Sequence, residues 1–412
     1  MTPVNPRGGS GRPRRSVRSV HSAHSAHSAR PGRTDRAADV AAFFDGARLT
    51  LARQLAGLRK SDLAALVGMT PTAVAAWESG VKRPMPATVA RLALTLGIDP
   101  GFFAMRPSDI AALSGPPHFR SLRSTTQLAR DQAFGYGQLA VDIAASLEKH
   151  VEYPQPDLPR VPVAPEAADG TDEAPEQAAR EVRRRWRMAP GPAPHLVRLL
   201  ENHGVLVVFS PPQTANVDAY SFDSRLRPVV VLNPVKHDYY RQRFDVAHEL
   251  GHLVMHADAE PGGRVIEDQA NRFAAEFLMP RADIREHLPT AMNRVAWQVL
   301  ARLKEHWGTS IQALLYRARR LGTLSEVSYR NAMNTLTSRG WRRSEPGLIS
   351  VLEQPSMLPR ALELLAAEGV TRESLLDQCR VPAGIFRTVT SRAPFPAGPP
   401  AVDQSPVVSL LS

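Results

Sequence analysis

Between Ala37 and about residue 106, the apolar residues of this chain return every three or four positions, in short bursts broken by Gly and Pro. Leu49, Ala52 and Leu55 make one apolar stripe, and Leu63, Ala64 and Val67 make the next, the period of amphipathic helices. Gly68 suits a tight turn between two helices, where positive φ is often needed. Thr70 is an N-cap residue with Pro71 at the first helical position, so a helix starts there, turns Val74 and Trp77 inward and ends at Gly80. Another begins at Pro86, which predicts four or five short helices in all. A longer helix is expected around Gln127 to His150, followed by the proline-rich, acidic stretch "YPQPDLPRVPVAPEAADGTDEAPEQ".

The second half changes period. "APEQAAREVRRRWRM" reads as an amphipathic helix whose arginines should form a solvated face. "GVLVVFS", "DAYSF" and "RPVVVLN" read as three short β runs. "RQRFDVAHELGHLVMH" is helical again, with Phe244, Ala247, Leu250, Leu253 and Val254 as buried positions. "IEDQANRFAAEFLMP" predicts a helix from Glu267, stopped by Pro280, that packs through Ala270, Phe273, Ala274, Phe277 and Leu278. Near the C-terminus, "PRALELLAAEGVTRESLLDQCRVPAGIFRTV" suggests two or three helices, with Thr371 as an N-cap and Cys379 a buried small residue.

The fold class is therefore α+β and multidomain: an all-α N-terminal bundle, a mostly helical domain with a small sheet, and a helical C-terminal region. The divisions fall at 1–36 (basic arm), 37–106, 107–172 (helical connector and Pro-rich linker), 173–320, 321–390 and 391–412 (tail). With 412 residues and 43% hydrophobic content, the chain is long and apolar enough for several cores. A single cysteine excludes an internal disulfide and a four-thiolate metal cluster, and no apolar run approaches the ~20 residues of a membrane span. The expected setting is the cytoplasm. The net charge of +11 is uneven: residues 1–36 hold eight arginines and one acid, leaving only +4 for the rest. That arm, with His-Ser-Ala three times from His21, has too little apolar surface to fold alone.

The turn, caps and spacing of residues 37–106 resemble the XRE (Cro/C1-type) helix-turn-helix domain, on Ala64, Gly68, Val74, Trp77-Glu78, Gly80 and Pro84. The resemblance implies binding of double-stranded DNA, with Pro71, Thr72, Ala73 and Ala76 facing the bases of the major groove and Thr70 among the DNA-binding residues. Of the residues carried over as base-facing, only Thr72 hydrogen-bonds a base edge, whereas Lys60, Lys82 and Arg83 serve the phosphates. Binding led by backbone contacts and DNA shape is expected, in a homodimer, since one such module binds weakly.

His248-Glu249-Leu250-Gly251-His252 carries different chemistry. Residues four apart share a helix face, so both imidazoles reach one metal ion, while Glu249 points aside, free to take a proton without being a ligand. Gly251 is expected to keep the helix surface low beside the metal. Glu267 is the preferred third ligand and Asn271, four further on, the group that orients a ligand imidazole from outside. Asp258 is the rival third ligand, disfavoured because Met255 stands where a returning turn wants Gly; His256 is read as structural.

"RFDVAHELGHLVMH" followed by "EDQANRFAAEFLMP" resembles the ImmA/IrrE family of metallopeptidases, over about Glu176 to Arg320, including "RPVVVLN" and "WGTSIQALLYRA". The resemblance implies a zinc-dependent endopeptidase acting on a partner protein, such as an XRE-type repressor. It implies one zinc ion per chain, in preference to manganese, held by His248, His252 and Glu267, with Glu249 as general base. If "RPVVVLN" is an edge strand, it docks substrate by β-augmentation. For the oxyanion, Tyr239, Tyr240, His237 and His287 remain open. The competing reading is a transcription regulator whose zinc or small-molecule site modulates DNA binding without proteolysis.

Overall fold

The computed structural model describes residues 37–104, 118–119, 126–164, 172–211, 219–236, 238–256, 263–342, 345–346 and 351–393. Five helices open it: α1 (Ala37–Ala42), α2 (Gly46–Leu55), α3 (Lys60–Leu66), α4 (Pro71–Glu78) and α5 (Pro86–Leu96). Local chemistry sets their ends. The Asp45 carboxylate accepts from Ala47 N, Thr70 Oγ1 accepts from Ala73 N, and Gly68 and Gly80 take φ of 63° and 73°. Leu49, Ala52, Leu63, Ala64, Val67, Val74 and Trp77 are buried, as their period predicts, and Leu55 is half-buried.

The strand β1 (His118–Phe119) and the long helix α6 (Gln127–Glu148) follow. The five-helix bundle leans on α6. Arg48 of α2 makes a buried ion pair with Asp142 at 2.7 Å, and Gln132 Nε2 donates to Leu55 O. Gly135 lets the helices close up, since a Cβ there would meet Leu51 Cδ1 at 3.1 Å.

Then come α7 (Ala174–Arg185), α8 (Leu196–Asn202), β2 (Leu206–Phe209), β3 (Ala219–Phe222), β4 (Val229–Leu232), α9 (Tyr239–Met255), α10 (Arg264–Leu278) and α11 (Arg281–Ile284). The last helices are α12 (Arg294–Trp307), α13 (Ile311–Arg320), α14 (Glu326–Ser338), α15 (Met357–Ala367), α16 (Arg372–Cys379) and α17 (Ala383–Val389).

The sheet runs β1-β3-β4-β2, with β4 parallel to β2 and antiparallel to β3. It separates two cores. Leu206, Val208, Tyr220, Phe222, Val229 and Val231 face α6, the N-terminal bundle and α15–α17. Val207, Phe209, Ala219, Val230 and Leu232 face α7–α10 and α12–α14. Burial on both faces explains why Val229–Leu232 read as an unbroken apolar run. It also corrects the expectation of an edge strand: β4 is central, both of its ladders are taken, and it has no free edge to offer a peptide.

A second correction concerns one residue of α7: Arg180, Arg184 and Arg185 are exposed as expected, but Arg183 is 8% exposed and donates to the carbonyls of Phe277, Ala189 and Gly191, closing three backbone acceptors at the end of α10 and in the turn after α7. The C-terminal region is strapped down by acids. Glu201 accepts from Ser356 N and Met357 N at the start of α15, and Glu353 accepts from Val197 N and pairs with Arg243. Thr371 caps α16 and Cys379 is buried, as expected. Among the described residues, no helix is long and apolar enough to cross a membrane.

Candidate metal centre and helix-turn-helix surface

α9 starts at Asp238, whose carboxylate accepts from Tyr240 N and Arg241 N, and it packs along α10. The approach is close at Gly251, where a Cβ would stand 3.0–3.2 Å from the Phe273 side chain. Gly251 therefore makes room for α10 itself, which differs from the expected role of clearing space beside a metal.

This packing brings three donors together. His248 Nε2 lies 3.1 Å from His252 Nε2 and 3.3 Å from Glu267 Oε2, and His252 Nε2 lies 3.6 Å from Glu267 Oε1. Donors ~2.0–2.1 Å from a tetrahedral ion stand roughly 3.3–3.4 Å from one another, so the set fits a zinc ion. The two imidazoles are fully buried, while Glu267 keeps 21% of its side chain exposed, so the centre opens on the glutamate's side. Asp258 and His237 lie outside the described residues.

The surroundings aim the donors. His248 Nδ1 is 3.1 Å from Asn271 Oδ1, one turn after Glu267 on α10. A proton on that Nδ1 leaves Nε2 bare toward the centre. His252 Nδ1 is 3.0 Å from His256 Nδ1, His256 Nε2 is 2.9 Å from Gln269 Oε1, and Gln269 Nε2 donates to Ala164 O. Burial pushes the His256 imidazole down to about 4, against the raising effect of its hydrogen bond to Gln269 Oε1. Glu249 is buried, and the Ser221 hydroxyl of β3 donates to its Oε2 at 2.7 Å. Ser221 and Gln269 were not singled out from the sequence. The one signal for Ser221 is a small polar residue set between two aromatic ones in "AYSF".

A cleft of about 500 Å³ is lined by Asn271, the residue behind His248 Nδ1. Arg241 and Asp245 line it from the face of α9 that carries His248 and His252, seven and three residues before His248, roughly 10 and 5 Å along the axis. Phe244, Gln312, Tyr316 and Tyr329 complete much of the wall. Phe244, expected in the core, is thus only half-buried. The Tyr316 hydroxyl is buried with no hydrogen-bond partner among the described residues, and burial pushes it up to about 12. Tyr239 and Tyr240 lie instead under Arg243 and Lys304, and His287 is exposed on a short turn.

On the N-terminal bundle, Pro71, Thr72 and Lys82 are exposed, and Ala73 and Ala76 are half-buried. Thr70 is occupied as the cap of α4. Two of the cations have partners within the fold: Lys60 Nζ is 3.4 Å from Glu78 Oε2, and Arg83 donates to Ala42 O.

Two family models match the chain. Residues 200–319 match the IrrE N-terminal-like domain, and residues 49–103 match the helix-turn-helix model. No curated protein matches the chain in sequence. The chain joins an XRE-type helix-turn-helix domain to an IrrE/ImmA-like, metallopeptidase-like domain.

Proposed function

We propose that this protein is a DNA-binding transcription regulator whose IrrE-like half is a zinc-dependent endopeptidase, cleaving a repressor- or antitoxin-type partner to change gene expression. The observation that carries this reading is the buried convergence of His248, His252 and Glu267 beside a separately held glutamate, Glu249. A metal site needed only for structure or sensing has no use for that extra buried carboxylate.

His248, His252 and Glu267 hold the zinc, which when bound supplies Lewis acidity toward a water and the scissile carbonyl. Asn271 keeps His248 aimed. Glu249, kept in place by Ser221, takes a proton from the attacking water and returns it to the leaving amine nitrogen. The cleft along Arg241, Asp245 and Tyr316 receives the substrate chain, and the Tyr316 hydroxyl donates to the carbonyl oxygen as it gains charge. On the DNA side, α4 lies in the major groove through Thr70, Pro71, Thr72, Ala73 and Ala76, with Lys60, Lys82 and Arg83 toward phosphates, in a cytoplasmic homodimer.

The test is a reporter for the regulated promoter carrying wild type, Glu249→Gln or His248→Ala. The peptidase reading predicts that Glu249→Gln retains zinc and DNA binding yet fails to respond, as His248→Ala does. A wild-type response from Glu249→Gln, with failure of His248→Ala, would instead establish a regulatory metal site without proteolysis.

A further inference from the structure

The hydrogen-bond chain behind His252 starts at a group whose role cannot vary. Ala164 O is a backbone carbonyl and only accepts, so the Gln269 amide must present its NH₂ there. This leaves Gln269 Oε1, also only an acceptor, facing His256 Nε2 at 2.9 Å, so that nitrogen carries the proton. His256 Nδ1 lies 3.0 Å from His252 Nδ1, and a hydrogen bond between two ring nitrogens needs one donor and one acceptor. A His252 that gives its Nε2 lone pair to a metal beside His248 and Glu267 carries its proton on Nδ1, so His252 Nδ1 donates and His256 Nδ1 accepts.

We infer that His256 is a positioning residue for the metal centre: through Gln269 and Ala164 O it fixes the tautomer and ring orientation of His252. The inference rests on the zinc reading of the centre and goes beyond it. It also gives the connector ahead of α7 a function, because Ala164 belongs to a segment that pairs with the end of α9 through Val161 N to Val254 O and Val163 N to Met255 O. The two ligand histidines are thus set by different means. His248 leans on one amide of α10, whereas His252 leans on a three-member chain that ends on backbone.

Outer partners of this kind are worth 10–100-fold in metal affinity. The test measures Zn²⁺ affinity of the metal-stripped full-length protein by competition with a chromophoric chelator, and the visible absorption of the Co²⁺-loaded protein. His256→Ala should weaken zinc about 10–100-fold and alter the Co²⁺ bands. His256→Asn, whose amide oxygen stands near the place of Nδ1, should recover much of both. Gln269→Met keeps His256 but removes the acceptor that sets its proton, and should shift affinity in the same direction; it also serves if His256→Ala fails to fold. Wild-type zinc affinity in both His256→Ala and Gln269→Met overturns the inference, as does equal loss in His256→Ala and His256→Asn. A wild-type chain that takes up no zinc at all would overturn the metal reading and this inference together.

Discussion

A carboxylate that is to move a proton must be held still and kept from bulk water, and Glu249 meets both conditions: it is fully buried and accepts from Ser221 Oγ. Ser221→Ala removes the brace without touching a metal donor. It should keep one zinc per chain while slowing cleavage roughly tenfold, the lower range for outer-sphere groups; loss of zinc in this variant would show that Ser221 acts on the fold instead. The donors themselves should behave differently. His248→Ala or His252→Ala should abolish zinc binding and Glu267→Ala should weaken it strongly, read as metal content after dialysis against a mild chelator. Full zinc retention by Glu267→Ala would show that the third ligand lies elsewhere. That His248 and His252 share one face was legible because four-residue spacing on a helix is geometry, and Glu267 of α10 converges on them. Ser221 and Gln269 were not, because their roles depend on which elements pack together.

Among the elements, α9 and α10 carry the site, and their spacing is set by Gly251 against Phe273. Gly251→Ala should gain about 0.5–1 kcal/mol of helix propensity but lose about 1–3 kcal/mol to overpacking, a net destabilisation in urea unfolding of the metal-free protein. An unchanged midpoint would mean that the two helices yield at little cost. Helix starts at Thr70, Pro71, Pro86 and Thr371 were readable from caps and prolines, since these are local chemistry. The place of Val229–Leu232 in the sheet was not: an apolar run says that both faces are covered, and says nothing of which strands flank it. Arg183 misled for a related reason. A long guanidinium on a basic helix looks solvated until the carbonyls it must serve, on α10 and the turn after α7, are in place.

At the scale of the molecule, the helix-turn-helix bundle, α6, the C-terminal helices and one sheet face share a core, and the candidate metal centre sits in the core on the other face. Period and composition named the two halves but not this arrangement, which hangs on the long-range pair Arg48–Asp142 and on Glu201 and Glu353. DNA affinity should depend on residues outside the bundle as well. Removing residues 1–36 takes away eight arginines, so non-specific binding should weaken and its salt dependence flatten, measured by anisotropy titrations at several salt concentrations; an unchanged slope would exclude the arm from phosphate contact. If the IrrE-like half cuts protein, it creates new protein N-termini, and these can be measured. Zinc-loaded wild type and Glu249→Gln are incubated separately with extract of cells lacking the protein, and the termini created are labelled and sequenced. Wild type should create a small set of new termini, reduced ~10²–10⁴-fold or more with Glu249→Gln. The same termini at equal yield from both proteins, or none from the zinc-loaded wild type, would contradict proteolysis by this half.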